Sequence, residues 1–133
     1  MAWVALVIVL ALFEFLVFIS LVGRARTLYG IAAPATTGHE MFERYFRVQQ
    51  NTMEQLLLFL PSIWLFATFI SATWAAALGA VFLVGRAIYA VSYVREPKSR
   101  GLGFGLTSLP NMVLMIGALV GAIRGVIAMA SVG

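Results

Sequence analysis

Long apolar segments separated by short polar connections make up most of the chain. The first extends from Trp3 to Val22 and is interrupted only by Glu14, and two others extend over residues 74–94 and 109–129. Each contains about 20 residues, which as a helix span the roughly 30 Å hydrocarbon core of a bilayer. The pattern predicts membrane-spanning helices at these three places.

The remaining apolar segment is different, because a dense polar run leads into it without a break. Residues 43–55 are rich in charges and amides, whereas residues 56–70 are almost entirely apolar. Since the apolar part alone is shorter than the about 20 residues that a span requires, the predicted span covers residues 51–70. This puts Asn51 and Glu54 at or just inside the membrane boundary, where polar groups are costly and indicate a ligand site.

The connections between these segments are short and rich in turn-forming residues. The first contains the Pro/Gly/Thr-rich stretch 31–38 and leads into a second helix predicted to begin near Glu40. Residues 71–73 form a very short turn, so the second and third helices are predicted to be antiparallel neighbours. The third connection covers residues 95–105, and Ser108 is the predicted N-cap of the fourth helix.

The composition is typical of an integral membrane protein. The chain has 133 residues, of which 62% are hydrophobic and 11% are charged, whereas about 25% of the residues in soluble domains are charged. We therefore predict an all-α fold, a four-helix membrane bundle in which residues 1–133 form a single domain. The absence of cysteine excludes protein thiol chemistry, and the single histidine excludes a histidine-cluster metal site.

The basic residues are concentrated in two of the connections. The first connection, with the start of the second helix, contains Arg24, Arg26, Arg44 and Arg47, and the third contains Arg95, Lys98 and Arg100. By the positive-inside rule, both basic connections are predicted to face the cytoplasm and both termini the opposite side. Topology thus explains the clustering better than a surface for nucleic acid does.

Three glycines, Gly117, Gly121 and Gly125, recur at every fourth position of the fourth helix. Such a motif allows close contact between helices, within one subunit or between subunits. Membrane helices are also rich in glycine in general. We interpret the motif as a packing surface.

Polar side chains recur at helical spacing on the second and third helices. On the second they are Arg47, Asn51 and Glu54, and on the third they are Arg86, Tyr89 and Tyr93. Because such residues share a helix face and the two helices are antiparallel, the stripes are predicted to converge near the cytoplasmic boundary. One interpretation is a site for a zwitterionic peptide with two carboxylates. The alternative is that the buried charges pair with one another, for example Glu54 with Arg86.

Two longer motifs resemble those of a known family. The second helix contains Glu43-Arg44-x2-Arg47-x-Gln49-x-Asn51-x2-Glu54, preceded by Thr36-Thr37-Gly38. This resembles the second-helix signature of the MAPEG family, the membrane-associated proteins in eicosanoid and glutathione metabolism. The spacing Arg86-x2-Tyr89-x3-Tyr93-x6-Arg100 is similar to that of the leukotriene-forming synthase of the family. The resemblance implies a homotrimer that binds glutathione between neighbouring subunits on the cytoplasmic side.

The resemblance also implies roles for individual residues. Glutathione would be held by Arg47, Asn51, Glu54, Tyr89 and Tyr93 of one subunit and by Arg26 and Gln49 of the adjacent subunit. Arg86 would line the same cavity, and Arg100 would be the catalytic residue that stabilises the glutathione thiolate. A nearby cation lowers the pKa of a thiol from its ordinary value of about 8.5. Since the chain has no cysteine, the nucleophile would come from glutathione.

Differences from the family pattern bear on these assignments. Gln55 is found where the leukotriene-forming synthase has a tyrosine. The proline and glycines around Arg100 leave Arg95 and Lys98 as alternatives for its role. Gly101 replaces the serine of the prostaglandin E synthases, which weighs against that isomerase activity. The presence of Arg100 argues against the non-catalytic lipoxygenase-activating relatives.

The predicted function is a membrane-bound glutathione transferase that activates glutathione for attack on lipophilic electrophiles, with glutathione peroxidase activity as a further expectation. Two alternatives are a non-catalytic lipid-binding or scaffold member of the family and a small proton-coupled multidrug exporter that uses Glu14. We favour a structural role for Glu14 as the partner of an arginine such as Arg86. The compact connections indicate a bacterial inner membrane, with the endoplasmic reticulum as the alternative.

Overall fold

The computed structural model describes residues 1–133 and contains four long helices. The elements are α1 (Ala2–Tyr29), α2 (Glu40–Phe69), α3 (Ala72–Arg95), a short 3-10 helix (Pro97–Ser99) and α4 (Gly101–Val132). Each of the four long helices is long and apolar enough to cross a membrane. The structure therefore confirms the predicted all-α fold with four helices that are able to span a bilayer.

Local hydrogen bonds and one glycine define several helix ends. His39 Nδ1 accepts the N–H of Met41 at 3.1 Å where α2 begins, and Ser71 Oγ accepts the N–H of Trp74 at 3.2 Å where α3 begins. α1 ends at Gly30, whose φ of 68° suits a residue without a Cβ. Because Ser71 caps α3 directly after α2 ends, these two helices are joined by almost no loop.

The two central helices, α2 and α3, pack against each other, and α1 and α4 both pack against this pair. The largest buried cluster is apolar and includes Val4, Phe59, Phe82 and Leu114, one from each helix. The rings of Phe59 and Phe82 stack with their centroids 3.9 Å apart. In a bilayer the lipid tails are as apolar as these side chains, so close packing and not exclusion from water holds the helices together.

The two basic connections lie at the same end of the bundle, which we call the basic end. Arg44, near the start of α2, donates to the backbone carbonyls of Val94 and Arg95 at the end of α3, at 2.9 and 3.1 Å. Arg44 also forms the only salt bridge of the structure, with Glu40 at 2.5 Å. These bonds satisfy carbonyls that a helix terminus leaves free and join α2 to α3.

Two glycines allow α3 and α4 to approach each other closely near the basic end. A Cβ on Gly85 would lie 2.7 Å from the backbone of Leu106, and a Cβ on Gly103 would overlap the backbone of Tyr89. A side chain at either position would push the helices apart, since contacts this short do not occur between real atoms. The contact therefore fixes the first turns of α4 beside Tyr89.

The beginning of α4 differs from the prediction. Residues 101–105 are helical and are not part of the third connection, and Ser108 lies inside α4 and not at its N-cap. The prediction was wrong because glycine lowers helix propensity by about 1 kcal/mol per residue, whereas here packing against Tyr89 outweighs that cost. The predicted span 109–129 is thus only part of a longer helix.

The chain reversal between α3 and α4 is correspondingly tighter than predicted. Ser99 Oγ donates to the carbonyls of Glu96 and Ser92, at 2.7 and 3.0 Å, and so closes the short 3-10 helix onto the end of α3. At the other basic connection, Arg24 and Arg26 belong to the last turns of α1 and not to the loop that follows. Both differences lengthen the helices at the basic end.

The glycine motif of α4 packs against α2 of the same chain. A Cβ on Gly117 would overlap the ring of Phe66, and a Cβ on Gly121 would lie 2.6 Å from the Cβ of Phe69. Gly125, by contrast, makes only ordinary van der Waals contact with Phe69. Of the two predicted kinds of contact, the one within a subunit is thus formed.

Candidate functional site

A cavity of about 260 Å³ opens at the basic end between α2, α3 and the beginning of α4. It is lined by Arg47, Asn51, Tyr89, Arg100, Gly101 and Phe104. Arg47, Asn51, Tyr89 and Arg100 are among the residues predicted to form a glutathione site. The structure therefore brings together residues that are far apart in the sequence, from both predicted polar stripes and from the third connection.

The convergence follows from helix geometry and from the contact between α3 and α4. Arg47 and Asn51 are four residues apart on α2 and so lie on one face. The contact of Gly103 with Tyr89 holds the start of α4 against α3, and this places Arg100, the N-cap residue of α4, at the rim of the cavity. Since Arg95 and Lys98 do not line the cavity, Arg100 is the basic residue of the third connection that reaches it.

The electrostatic character of the cavity is positive. The guanidinium groups of Arg47 and Arg100 are exposed and have neither a salt bridge nor a side-chain hydrogen bond. The N-terminus of α4, where backbone N–H groups are free and the helix dipole is positive, adjoins Arg100. Such an arrangement favours a ligand that carries carboxylates or a thiolate.

Asn51 supplies a polar atom that lacks a partner. Its side chain is 8% exposed, and its Oδ1 is buried without any hydrogen bond. A buried acceptor without a donor costs about 1–3 kcal/mol, and most buried polar atoms in proteins are paired. Arg44 Nε, Arg86 Nε and Asn111 Oδ1 are also buried without a partner, so the missing bond alone does not indicate a ligand.

The tyrosines of α3 form one wall of the site. Tyr89 is 2% exposed, and its ring stacks on that of Tyr93 with the centroids 5.6 Å apart. The guanidinium of Arg86 lies over the Tyr89 ring, 4.4 Å from its centroid. Tyr93 itself is half-buried and packs on the cluster of Phe18, Val48 and Tyr89.

Arg86 lies beside the cavity and not in its lining. It is 0% exposed and donates to Thr52 Oγ1 of α2 at 2.6 Å and to Thr107 Oγ1 of α4 at 3.4 Å. Arg86 therefore joins three helices next to Tyr89. Its contact with glutathione, which the resemblance implies, stays a prediction.

Arg86 forms no salt bridge with Glu14, its favoured acidic partner, or with Glu54, the alternative partner. Two threonine hydroxyls accept hydrogen bonds from the terminal nitrogens of Arg86 instead, whereas its Nε has no partner. Glu14 is half-buried in α1 without a hydrogen-bonding partner.

The other predicted site residues lie outside the cavity of the single chain. Glu54 is exposed, Gln49 is half-buried, and Arg26 donates to the carbonyl of Ala35 at 2.7 Å while its guanidinium lies 4.9 Å from the centroid of the Phe42 ring. For Arg26 and Gln49 the resemblance implies contact with the site of an adjacent subunit. The roles of all three stay predictions.

The sequence reasoning did not identify a polar network between α2 and α4. Asn111 Nδ2 donates to Gln55 Oε1 at 3.0 Å, so the residue that departs from the family pattern has a partner within the chain. Thr107 and Asn111 are both fully buried. Their spacing of four residues in an otherwise apolar helix is the signal that would have revealed a polar contact there.

Comparison with known proteins assigns the chain to a family. The model of the MAPEG family matches residues 4–120. The chain is 53% identical over 117 residues to an uncharacterized protein of Synechocystis sp., covering 88% of this chain and 85% of that protein. It is 36% identical over 99 residues to human microsomal glutathione S-transferase 2, covering 74% of this chain and 67% of that protein.

A shorter match is found with leukotriene C4 synthase of Bos taurus, at 37% identity over 76 residues. This match covers 57% of the chain and 51% of the synthase, so the chain spans about half the length of that relative. The match of the family model over most of the chain includes every residue that lines the cavity. The chain belongs to the MAPEG family.

Proposed function

We propose that the protein is a membrane-bound glutathione transferase that activates glutathione as a thiolate for attack on lipophilic electrophiles. The observation that carries the proposal is the cavity lined by Arg47, Asn51, Tyr89 and Arg100, in which neither arginine has a salt bridge. Membership of a family that includes microsomal glutathione S-transferase 2 supports it.

Glutathione is chemically suited to this cavity. It carries two carboxylates, for which the unpaired guanidinium groups of Arg47 and Arg100 are suitable partners. Its N–H groups provide the donors that Asn51 Oδ1 lacks. In this proposal Glu54 binds the ammonium group of glutathione, and Tyr93 extends the wall that Tyr89 forms.

The chemical step requires a thiolate at neutral pH. A thiol with a pKa of about 8.5 is mostly protonated there, and a nearby cation lowers this pKa, each unit corresponding to about 1.4 kcal/mol. We assign this role to Arg100. The thiol proton passes to solvent, and an electron pair of the sulfur then forms a C–S bond with the electrophilic carbon. At the same time the bond from that carbon to the leaving group breaks, or, in a strained ring, the ring bond at that carbon breaks.

A peroxidase activity would use the same thiolate. Its sulfur attacks a hydroperoxide oxygen, so that the O–O bond breaks and an alcohol leaves, while the glutathione sulfur is oxidised to a sulfenic acid. A second glutathione then reduces the sulfenic acid and forms glutathione disulfide and water. No residue of the protein changes oxidation state, in keeping with the absence of cysteine.

The proposal includes assembly as a homotrimer. Arg26 and Gln49 lie outside the cavity of their own chain, so they would act on glutathione only from an adjacent subunit. Arg86 would contribute to the same glutathione site. A lipophilic electrophile would enter laterally from the bilayer between helices of neighbouring subunits.

We further propose that the basic end and its cavity face the cytoplasm and that both termini lie on the opposite side. Seven of the nine basic residues lie at the basic end, which the positive-inside rule places in the cytoplasm. A bacterial inner membrane is the proposed location.

The decisive experiment is a glutathione titration of the detergent-purified protein that follows the ultraviolet absorbance of the thiolate. We expect a saturable signal in the wild type and its loss in Arg100→Ala. Lys98→Ala, at a neighbouring basic residue outside the cavity, is the matched control and should retain the signal. Absence of both a thiolate signal and a heat of binding in the wild type would exclude the transferase and favour a non-catalytic role.

A further inference from the structure

A second, larger cavity lies at the basic end on the other side of α2 and α3. This groove has a volume of about 370 Å³ and is lined by Phe18 and Leu21 of α1, Tyr45 and Val48 of α2 and the face of α3 from Ala87 to Arg95. Eight of its nine lining residues are hydrophobic. It shares no residue with the proposed glutathione cavity.

The groove continues toward the end of α1. A smaller cavity of about 150 Å³ shares Leu21 and Tyr45 with it and adds Arg24 and Tyr29 to the lining. The combined surface is therefore apolar along most of its length, and Arg24 and Arg95 lie toward its basic end. Tyrosine is the kind of side chain that is enriched at the level of lipid headgroups.

The two arginines are free to bind an anion. Both are exposed, and neither guanidinium has a salt bridge or a hydrogen bond. The nearby acidic side chains have other partners: Glu40 pairs with Arg44, Glu43 accepts the N–H of Gly38, and Glu96 accepts the N–H of Lys98. No carboxylate of the chain neutralises Arg24 or Arg95.

We propose that this groove binds an anionic phospholipid, with an acyl chain along the apolar walls and the phosphate held by Arg24 and Arg95. The apolar part of the surface suits an acyl chain and disfavours polar ligands. The two arginines toward its basic end favour an anionic headgroup over a zwitterionic one, whose own cation offsets the attraction.

The headgroup part of the proposal is tested by native mass spectrometry of delipidated protein in detergent. The protein is titrated with phosphatidylglycerol or phosphatidylcholine that carry identical acyl chains. We expect tighter retention of phosphatidylglycerol, and in the double variant Arg24→Gln/Arg95→Gln this preference should fall by roughly tenfold or more. Circular dichroism reports whether the variant keeps its helices.

Arg124→Gln is a control for the loss of a positive charge elsewhere, because Arg124 is an exposed arginine of α4 that lines neither cavity of the groove. It should bind phosphatidylglycerol as the wild type does. An unchanged preference in the double variant, or an equal loss in Arg124→Gln, would show that the attraction is non-specific and would overturn the proposal.

The acyl-chain part is tested by filling the groove. Ala87→Trp should reduce retention of both lipids, since Ala87 is exposed and lines the groove. Ala80→Trp is the matched control, because Ala80 is exposed on α3 two turns earlier and does not line it. Equal retention by Ala87→Trp and wild type would contradict binding in the groove.

Because the chain has no cysteine, a single introduced cysteine can be labelled specifically. Such a label tests directly whether a second copy of the chain covers the groove. A nitroxide attached to Val91→Cys in phosphatidylglycerol-containing vesicles should be readily accessible to dissolved oxygen, as expected beside lipid. Shielding of this label from both oxygen and a water-soluble relaxation agent would mean that protein covers the groove, and the lipid proposal would fail.

Discussion

Arg86 and Arg100 both lie near Tyr89, yet their surroundings are opposite. Arg86 is completely buried, and its two terminal nitrogens donate to threonine hydroxyls on two other helices. Arg100 is exposed on a cavity and has no partner in the chain. A buried cation with bonded nitrogens serves the fold, whereas an unpaired cation on a cavity remains available to a ligand.

The two buried asparagines differ as well, although the Oδ1 atoms of both lack a partner. Asn51 has no hydrogen bond and lines the cavity, whereas Asn111 donates to Gln55 through its amide nitrogen and lies away from the cavity. Residue type alone therefore does not separate structural polar groups from ligand-binding ones. The difference lies in whether the chain itself supplies partners and whether a cavity reaches the group.

The largest expected effect is that of Arg100→Ala on conjugation of a model electrophile. We expect the rate to fall by about 10²–10³-fold, as when one stabilising group of a developing or reacting anion is removed. The free energy of unfolding should stay within about 0.5 kcal/mol of the wild type, since the side chain is exposed and unpaired. Stopped-flow kinetics and chemical denaturation in detergent measure the two quantities.

The pH profile of the same reaction provides an independent check of Arg100. The rate should rise as the pH increases through the pKa of the bound glutathione thiol, because only the thiolate reacts. In Arg100→Ala the midpoint should move up toward the ordinary thiol value of about 8.5. A profile unchanged by the substitution would assign thiolate stabilisation to another group.

Substitution of Arg86, unlike that of Arg100, should lower the stability of the protein and leave the thiolate signal. We expect Arg86→Met to lower the free energy of unfolding by about 3 kcal/mol, because two charge-assisted hydrogen bonds between helices are lost. The thiolate signal of the folded fraction should remain. Unchanged stability with loss of that signal would move Arg86 into the glutathione site and remove the distinction between the two arginines.

The contact between α3 and α4 can be tested with two neighbouring glycines. Gly103→Ala should destabilise the protein by about 2 kcal/mol, because the new Cβ would overlap the backbone of Tyr89. Gly105→Ala is the control, since nothing lies within 4 Å of a Cβ there, and it should stabilise the helix by about 0.5–1 kcal/mol. Similar effects in the two variants would argue against the close contact.

The smallest effect is expected for Asn51→Ala. Calorimetry should show glutathione affinity lower by about 1 kcal/mol, through loss of one hydrogen bond, while the ligand-free protein becomes no less stable because an unsatisfied acceptor is removed. Met53→Ala, at an exposed neighbour outside the cavity, should leave the affinity unchanged. A loss of ligand-free stability would indicate that Asn51 is structural.

The sequence predicted most of what local rules determine. The lengths of the apolar segments predicted four helices, and the short turn after α2 together with the spacing of Arg47 and Asn51 predicted a convergence toward Tyr89. Both follow from helix geometry within a few residues. The clustering of Arg100 with these residues came from the family resemblance.

The missed features depend on contacts between helices. Gly103 discourages a helix by its own propensity, and only the neighbouring backbone of Tyr89 explains why α4 begins before it. Likewise, the hydroxyls of Thr52 and Thr107 were not expected to satisfy Arg86, because their orientation depends on how α2 and α4 pack. A single sequence does not contain these distances.

The early start of α4 affects where a reaction at the cavity would take place. At a rise of 1.5 Å per residue, this helix of 32 residues is about 48 Å long, well beyond the roughly 30 Å thickness of the hydrocarbon layer. With the predicted span 109–129 in that layer, the first two turns of α4 project into the zone of headgroups and water. A hydrophilic peptide from the aqueous solution and a lipophilic molecule from the bilayer would meet there. The peptide would not have to enter the hydrocarbon layer, and the lipophilic molecule would not have to enter water.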